Sequence, residues 1–540
     1  MGRRSTKFQR LRAACAIAIC GLIAGFTLAY TPVPAQPAEA RAMLRIAPVA
    51  GLSGLDPESG KAIIDIIIAS QLYDTLMTFD VTGRPVPALA TSWKSTGPTT
   101  WEVALRRGVR FHDGTPFDAE AVKFNIERAI DPKRAGRYTL FQPYIDHADV
   151  VDDHTVRIVT KGQIPYLPYI IGYGFLGIVS PKAATTSGAD FARNPVGTGP
   201  FRFVRWVEGQ SVEMVANDDY WGGRPKLAGI TWKLIPSESA RVLALRAGEV
   251  DAIADPPTEV IPQLQRAGQF ELIRSVANAF VGVWLNPAVE PLGDLRVRQA
   301  IFHAIDQQGV LDNVIKGFAQ PAYQILGPTV FGMFTDKQIP KGGFYPHDVA
   351  KAKALLADAG WKPAAADGVV EQNGKKLTVT VQTPEGRYLK DRQIAEVVTA
   401  NLRDVGIDAR LQVMEFPTLS TAVTQHRVEV FVLSWGFPTG YPEPGFYSVF
   451  HSSPSGGQAV WAQWRNADAD RLMERALTEP YAAGRQELYR KTMQIFMNNA
   501  VIKPLYWKPI IWAVSKSVRN LKFMHTEEPI KLVATEIVKQ

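Results

Sequence analysis

Between residues 376 and 435 apolar and polar positions alternate, then recur every three or four residues, then alternate again. KLTVTVQT (376–383) has the period of two expected of a strand. In YLKDRQIAEVVTANLRDVGI (388–407), Ile394, Val397, Val398, Leu402 and Val405 fall on one helical face, and Gly406 ends the run. DARLQVMEF (408–416) reads as a second strand, and PTLSTAVTQ (417–425) as a short helix with Pro417 in its first turn. VEVFVLSW (428–435) is a third strand. Strand, helix, strand, helix, strand predicts a parallel sheet with helices on its faces. Ligands bind such sheets beyond the carboxyl ends of the strands. The loop GFPTGYPEP (436–444) leaves such an end.

The same alternation runs through the rest of the chain. Met43–Val49 reads as a strand, and Lys61–Phe79 has helical spacing. Thr99–Leu105 and Gly108–Phe111 read as strands. Phe117–Ile130 is a helix with Asp118 as its cap, and Asp149–Thr160 is a hairpin turning at Asp152-Asp153. The class is α/β with mixed sheets.

Residues 1–40 have a different pattern. Arg3, Arg4, Lys7, Arg10 and Arg12 precede an uncharged apolar run, Ala13 to Ala29, and small-x-small sites follow at Ala38-Glu39-Ala40 and Ala40-Arg41-Ala42. This is the layout of a secretory signal peptide cleaved near residue 40. The only cysteines, Cys15 and Cys20, lie inside it, so the exported chain has neither disulfide nor thiol chemistry. Residues 1–40 carry five Lys/Arg and one acid, so their removal lowers the net charge from +8 to +4. That balance gives no reason to expect nucleic-acid binding. At 540 residues, with 46% hydrophobic and 21% charged, the chain has room for two to four domains with large cores.

Catalytic motifs are weak. GYGFLG (172–177) has a dinucleotide-binding spacing, but Pro181 cuts the helix it needs, and it reads instead as a glycine-rich strand or turn. His147, Asp149, Asp152, Asp153 and His154 sit close in sequence, yet DDHT between β-branched runs is turn chemistry. No nucleophile elbow, P-loop or zinc-spaced histidine pair is present. The expectation is a non-enzyme with no cofactor and no metal.

Four stretches, taken in order, resemble one family. They are LRRGVRFHDGTPFDAEAVKFNIERA (105–129), NPVGTGPFRFVRWVEGQSVEMVANDDYWGGRPKLAGITWKLIPSESARVLALRAGEVDAI (194–253), DLRVRQAIFHAIDQQGVLDNVIKG (294–317) and YPHDVAKAKALLADAGW (345–361). They are similar to the large extracytoplasmic solute-binding proteins of ABC importers, the peptide/nickel/opine class (family 5). The resemblance implies a two-lobed periplasmic-binding-protein fold with a ligand cleft between the lobes. Lobe one would span 43–282 plus 510–540, with a subdomain near 75–195, and lobe two 283–509. The implied function is capture of a peptide-like, opine-like or sugar-like solute by lobe closure and delivery to ABC permease subunits, by a periplasmic monomer. An exported hydrolase, or a chaperone or sensor-coupled binding protein, is the alternative.

In peptide-binding members of that family an aspartate follows the strand-end tryptophan and pairs with the ligand's amino group. Trp435 matches the tryptophan, but the third residue after it is Pro438. The candidate substrate-binding residues are therefore Trp435, Phe437 and Tyr441 as a stacking wall, with Glu443 as hydrogen-bond acceptor or cation partner. Arg387, beyond the preceding strand, would meet a ligand carboxylate or phosphate. Tyr73 would add a wall from lobe one, and Asp56 lies in a loop bordering the cleft. For the aromatics the competing expectation is packing within the protein, and for Arg387 a solvated surface site.

Overall fold

The computed structural model describes residues 41–540 apart from 50–51, 59–62, 81–82, 134–139, 365–366, 438, 444, 453–463, 523–530 and 539–540. The expected signal peptide lies outside the described residues. The 376–435 pattern becomes three parallel strands, with Thr378–Pro384 between Asp408–Met414 and Val430–Gly436. Helix Asp391–Asp404 covers them with Ile394, Val398 and Leu402. Helix Phe416–Thr424 turns Leu419, Ala422 and Val423 inward.

These strands form one end of an eleven-stranded sheet. From Val430–Gly436 the sheet continues through Phe270–Leu285, Ile502–Ser515, Ala252–Ala254, Met43–Ala47, Gly229–Lys233, Ser211–Ala216 and Phe201–Val207. The two long central strands are antiparallel and pair along almost their full length. Their register breaks between Val276 and Phe280, where three residues, 277–279, face the single residue Lys508. A break of this kind bends the ladder and increases its local twist.

A second, four-stranded antiparallel sheet runs Ala90–Gly97, Thr100–Leu105, Thr155–Thr160, Ile145–Asp152. Helix Ala119–Ile130 packs on it, and Asp118 caps the helix by accepting from Ala121 N at 2.9 Å. The hairpin turn is held by Asp152, which accepts from His154 N at 2.8 Å. Asp294 likewise caps helix Leu295–Ala304, whose buried face includes Val297, Ala300 and Ile301.

Two predicted elements differ. The helix expected over 61–79 is confined to Ile63–Ala69, and the chain then turns into strand Met77–Phe79. The cause is tertiary. Gly199 N and Phe201 N donate to Leu72 O and Gln71 O at 2.9 and 3.0 Å, which uses carbonyls that a longer helix would need. Gly108–Phe111 is not a strand. It makes one bridge, Arg110 to Pro116, around a turn in which Gly114 has φ +83°. His112 beside that turn is neutral. Its Nε2 donates to Gly199 O at 2.9 Å, and burial lowers its pKa to about 4.

One carboxylate ties this region together. Asp74 is buried and accepts from the Thr198 hydroxyl, the Tyr220 hydroxyl and the Trp221 indole, each at 2.9 Å. Lys531, from the C-terminal return, lies 3.0 Å away. Burial alone would push the Asp74 carboxyl up. Lys531 and the donated hydrogen bonds from Trp221 and Thr198 hold it below the usual carboxylate range instead.

Two stability changes are expected. A Cβ at Gly197 would stand 2.2 Å from Leu72 O, so Gly197→Ala should cost at least about 2 kcal/mol in denaturant unfolding. Asp74→Ala removes the counter-charge of Lys531, which keeps only the carbonyls of Ser70 and Tyr73, and strands three donors, and it should cost about 3 kcal/mol at pH 7. Because the folded-state pKa of Asp74 is depressed, its contribution is present above the ordinary carboxylate range and fades as pH falls through the folded value. The gap between the parent and Asp74→Ala should therefore narrow below about pH 4, as measured by unfolding titrations across pH.

Candidate functional site

Trp435 and Phe437 leave the third parallel strand where the long ladder is irregular. Trp435 pairs with Phe280, and Phe437 N donates to Asn278 O at 2.7 Å. Asn278 is in the irregular stretch itself. Its side-chain oxygen accepts from Thr329 N at 3.2 Å and Thr329 Oγ1 at 2.9 Å, so one residue fixes both the loop and its neighbour. Trp435 is half-buried, whereas Phe437 is buried against Phe446.

Tyr441 and Glu443 are buried further along the loop. The Tyr441 ring is covered on both faces by the protein's own aromatics. Tyr166 stacks at 4.7 Å and Phe331 at 5.2 Å, and Tyr169 lies tilted at 5.0 Å. Arg485 Nε donates to the Tyr441 hydroxyl at 2.7 Å. The loop backbone is close too. A Cβ on Gly83 would lie 2.8 Å from Gly440 Cα, so the two glycines meet main chain to main chain.

Glu443 is 0% exposed. One carboxyl oxygen accepts from the Tyr144 hydroxyl at 2.7 Å and from Tyr447 N at 3.3 Å. Among the described residues the other oxygen makes no hydrogen bond of ordinary geometry, nor does the buried Tyr166 hydroxyl, while the Tyr489 hydroxyl faces the carboxyl. Burial pushes the Glu443 carboxyl up to about 7, against the downward pull of the Tyr144, Tyr447 and Tyr489 groups. Near neutral pH this group gains or loses a proton.

Asp56 and Tyr73 form a second cluster. Arg128 Nη2 lies 2.5 Å from Asp56 and Nη1 2.8 Å from Glu58, and all three side chains are buried. Tyr73 packs against Phe191 at 6.5 Å, and burial and the Asp56 charge raise its hydroxyl pKa. Between the two clusters runs the GYGFLG stretch. It is a short 3-10 turn, Gly174–Leu176, after helix Leu167–Ile171. A Cβ on Gly177 would meet Tyr73 and Pro57 at 3.0 and 3.5 Å, while Tyr166 and Tyr169, upstream, lie on Tyr441.

Arg387 is in a third place. Its guanidinium lies over the Phe416 ring at 4.2 Å, and its amide donates to Asp391 at 2.8 Å. Asp391 also accepts from Gly386 N and Tyr388 N and so closes the turn before the helix. Pro438 lies outside the described residues. Sequence reasoning missed Tyr144, Tyr166, Phe331, Arg485 and Tyr489. A signal existed for part of the set in the tyrosine-rich run QIPYLPYIIGYG (163–174).

Among the described residues no group of three or more His, Cys, Asp and Glu side chains is arranged to hold a metal. No helix among them is long and apolar enough to cross a membrane. What the geometry offers is a half-buried tryptophan beside an irregular ladder and an acid–tyrosine cluster that joins distant segments.

Comparison with known proteins agrees with this architecture. The chain is 28% identical over 471 residues to the oligopeptide-binding protein AppA of Bacillus subtilis, covering 84% of each chain. It is 28% identical over 447 residues to the glutathione-binding protein GsiB of Pectobacterium atrosepticum, covering 81% of this chain and 83% of that one. The solved structure of AppA with a nonapeptide superposes with a TM-score of 0.81 at 24% identity, covering 92% of this chain and 100% of that one. MoaA of A. tumefaciens R10, in complex with mannopinic acid, gives a TM-score of 0.80 at 24% identity, covering 93% and 100%. The family model for the middle region of bacterial extracellular solute-binding proteins, family 5, matches residues 84–457, and the chain belongs to that family.

Proposed function

We propose that this chain is the substrate-binding subunit of an ABC importer, exported by cleavage of residues 1–40 and working as a periplasmic monomer. It captures a peptide-like or other small organic solute by closing two lobes and presents the closed form to membrane permease subunits. Lobe one is 43–282 with 510–540, including the subdomain near 75–195, and lobe two is 283–509. Closure is driven by the solute's higher affinity for the closed form, and no bond in the solute is made or broken.

The observation that carries this reading is the long ladder of Phe270–Leu285 with Ile502–Ser515. It crosses between the two sets of strands and is irregular at 277–279, at the foot of the Trp435 loop. A bulged crossing is where two rigid sheets can bend against one another. The carboxyl ends of Met43–Ala47 and Ala252–Ala254 on one side, and of Thr378–Pro384 on the other, lead into the loops carrying Asp56, Glu259 and Arg387, and Trp435 stands at the carboxyl end of Val430–Gly436. Glu259 already reaches Lys316 at 3.3 Å and Lys390 at 3.0 Å across that divide.

The nature of the solute follows from what the loop presents. Trp435, at the end of its strand, is the aromatic of the predicted wall that keeps exposed surface, so it is the stacking contact. Glu443 is wholly buried and close to neutral, which makes it a poor partner for a free ammonium group. This favours N-blocked, opine-like or sugar-like solutes alongside peptides. Among the relatives, AppA is solved with a nonapeptide, MoaA with mannopinic acid, and GsiB is named for glutathione.

Native mass spectrometry of the purified protein should reveal a retained solute of low mass. With that solute, Trp435→Ala should weaken binding by more than about 1 kcal/mol in calorimetric titration. Unchanged affinity would remove Trp435 from the site.

A further inference from the structure

The cluster around Glu443 is built from segments far apart in the chain. Tyr144, Tyr166 and Tyr169 come from the region 75–195, while Tyr441 and Glu443 come from the loop after the third parallel strand. The hydrogen bond from Tyr144 to Glu443 spans 299 positions of sequence. The Tyr441 ring fills the gap between Tyr166 and Phe331, and Gly83 meets Gly440 main chain to main chain beside it. In the two-lobe reading, on which this inference rests, every one of these contacts except the one to Phe331 joins lobe one to lobe two. None needs a ligand atom.

We propose that Tyr144, Tyr441 and Glu443 form a clasp that holds the lobes together without ligand, and that Glu443 takes up a proton when the clasp shuts. Opening separates Glu443 from Tyr144 and returns its carboxyl to water. Shutting the clasp takes the carboxyl out of water and adds the Tyr144 hydroxyl to the Tyr447 amide and the Tyr489 hydroxyl on its own side. That set does not repay the desolvation of a full negative charge.

The surroundings contain little else to stabilise the charge. From the 75–195 region Glu443 is faced by Tyr144 and Tyr166, and from its own segment by Tyr441 and Tyr447. From helix Ala482–Asn498 it is faced by Tyr489. Arg485, on the same helix, directs its guanidinium to the Tyr441 hydroxyl and to the carbonyls of Glu479 and Pro480. Asp470 and Glu474 act on Tyr447 from the far side and add further negative charge.

The sign follows from the burial. The carboxyl titrates near 7 when shut and in the ordinary carboxylate range when open. Between those values shutting consumes one proton, so the shut form is favoured by acid. Its ratio to the open form should fall about tenfold per pH unit from about pH 5 to 7, then level off.

The mature chain has no cysteine, so a pair of spin labels can be placed cleanly. Val151→Cys, in strand Ile145–Asp152, and Tyr481→Cys, before helix Ala482–Asn498, fall on different lobes in the two-lobe reading, and both positions are exposed. Pulsed dipolar distances on ligand-free protein from pH 5 to 8.5 should show two populations, with the shorter distance dominant in acid. Glu443→Gln should keep the same ratio at every pH. Tyr144→Phe, which removes a donor to the carboxylate, should move the levelling point to higher pH, and it tests the clasp even if the Gln variant does not fold. Two populations in a pH-independent ratio, or the parental slope surviving in Glu443→Gln, would overturn the clasp and leave the two-lobe reading standing. A single distance at every pH in the ligand-free protein would overturn the clasp, and one that also stays unchanged with the retained solute bound would overturn the two-lobe reading as well.

Discussion

The antiparallel ladder between Phe270–Leu285 and Ile502–Ser515 is the constraint on which the rest depends. Its strands run 16 and 14 residues, well beyond the usual five or six. Two sets of strands hang from its two ends, so any relative movement of those sets must pass through it. Pairing lapses over three residues at 277–279, and a smaller shift follows between Val281 and Gly282. Asn278 turns that lapse into a fixed point, because its main-chain oxygen holds Phe437 and its side chain holds Thr329. Gly327 follows from this, since a Cβ there would stand 2.6 Å from Asn278 Cα. The loop after the third parallel strand therefore starts from the irregularity itself.

Much of the scaffold was legible in the sequence because it is locally determined. The caps at Asp118 and Asp294, the hairpin at Asp152 and the strand–helix alternation from 376 to 435 each depend on residues a few positions apart. The over-long helix at 61–79 shows the limit, because its end is set by Gly199 and Phe201, more than a hundred residues on. The site was harder for the same reason. Aromatics in a proline-rich loop look available to a ligand, yet the faces of Tyr441 are taken by Tyr166 and Phe331, which no local period connects to it. Asp56 reads as a loop acid, but Arg128, 72 positions away, claims it. Sequence spacing finds the frame of such a site, and tertiary partners decide which of its side chains are left for a solute.

Asp74 and Glu443 show why burial alone does not fix a carboxyl's role. Both are almost fully enclosed. Asp74 has a lysine and three donors, and it stays charged well into acid. Among the described residues Glu443 has no cation, only the Tyr144 hydroxyl, one long amide contact and the nearby Tyr489 hydroxyl, so its proton is held up to near-neutral pH. The difference is in the partners each site was given. A carboxylate that never changes state suits the joint between Leu72, Gly199 and the C-terminal return, which must not move. A carboxyl balanced between two states suits a contact that must form and break, and such a contact is useful only where two bodies part. In the two-lobe reading Glu443 sits at that boundary. A stronger set of donors there would lock the lobes, and an apolar residue would leave closure without any dependence on pH.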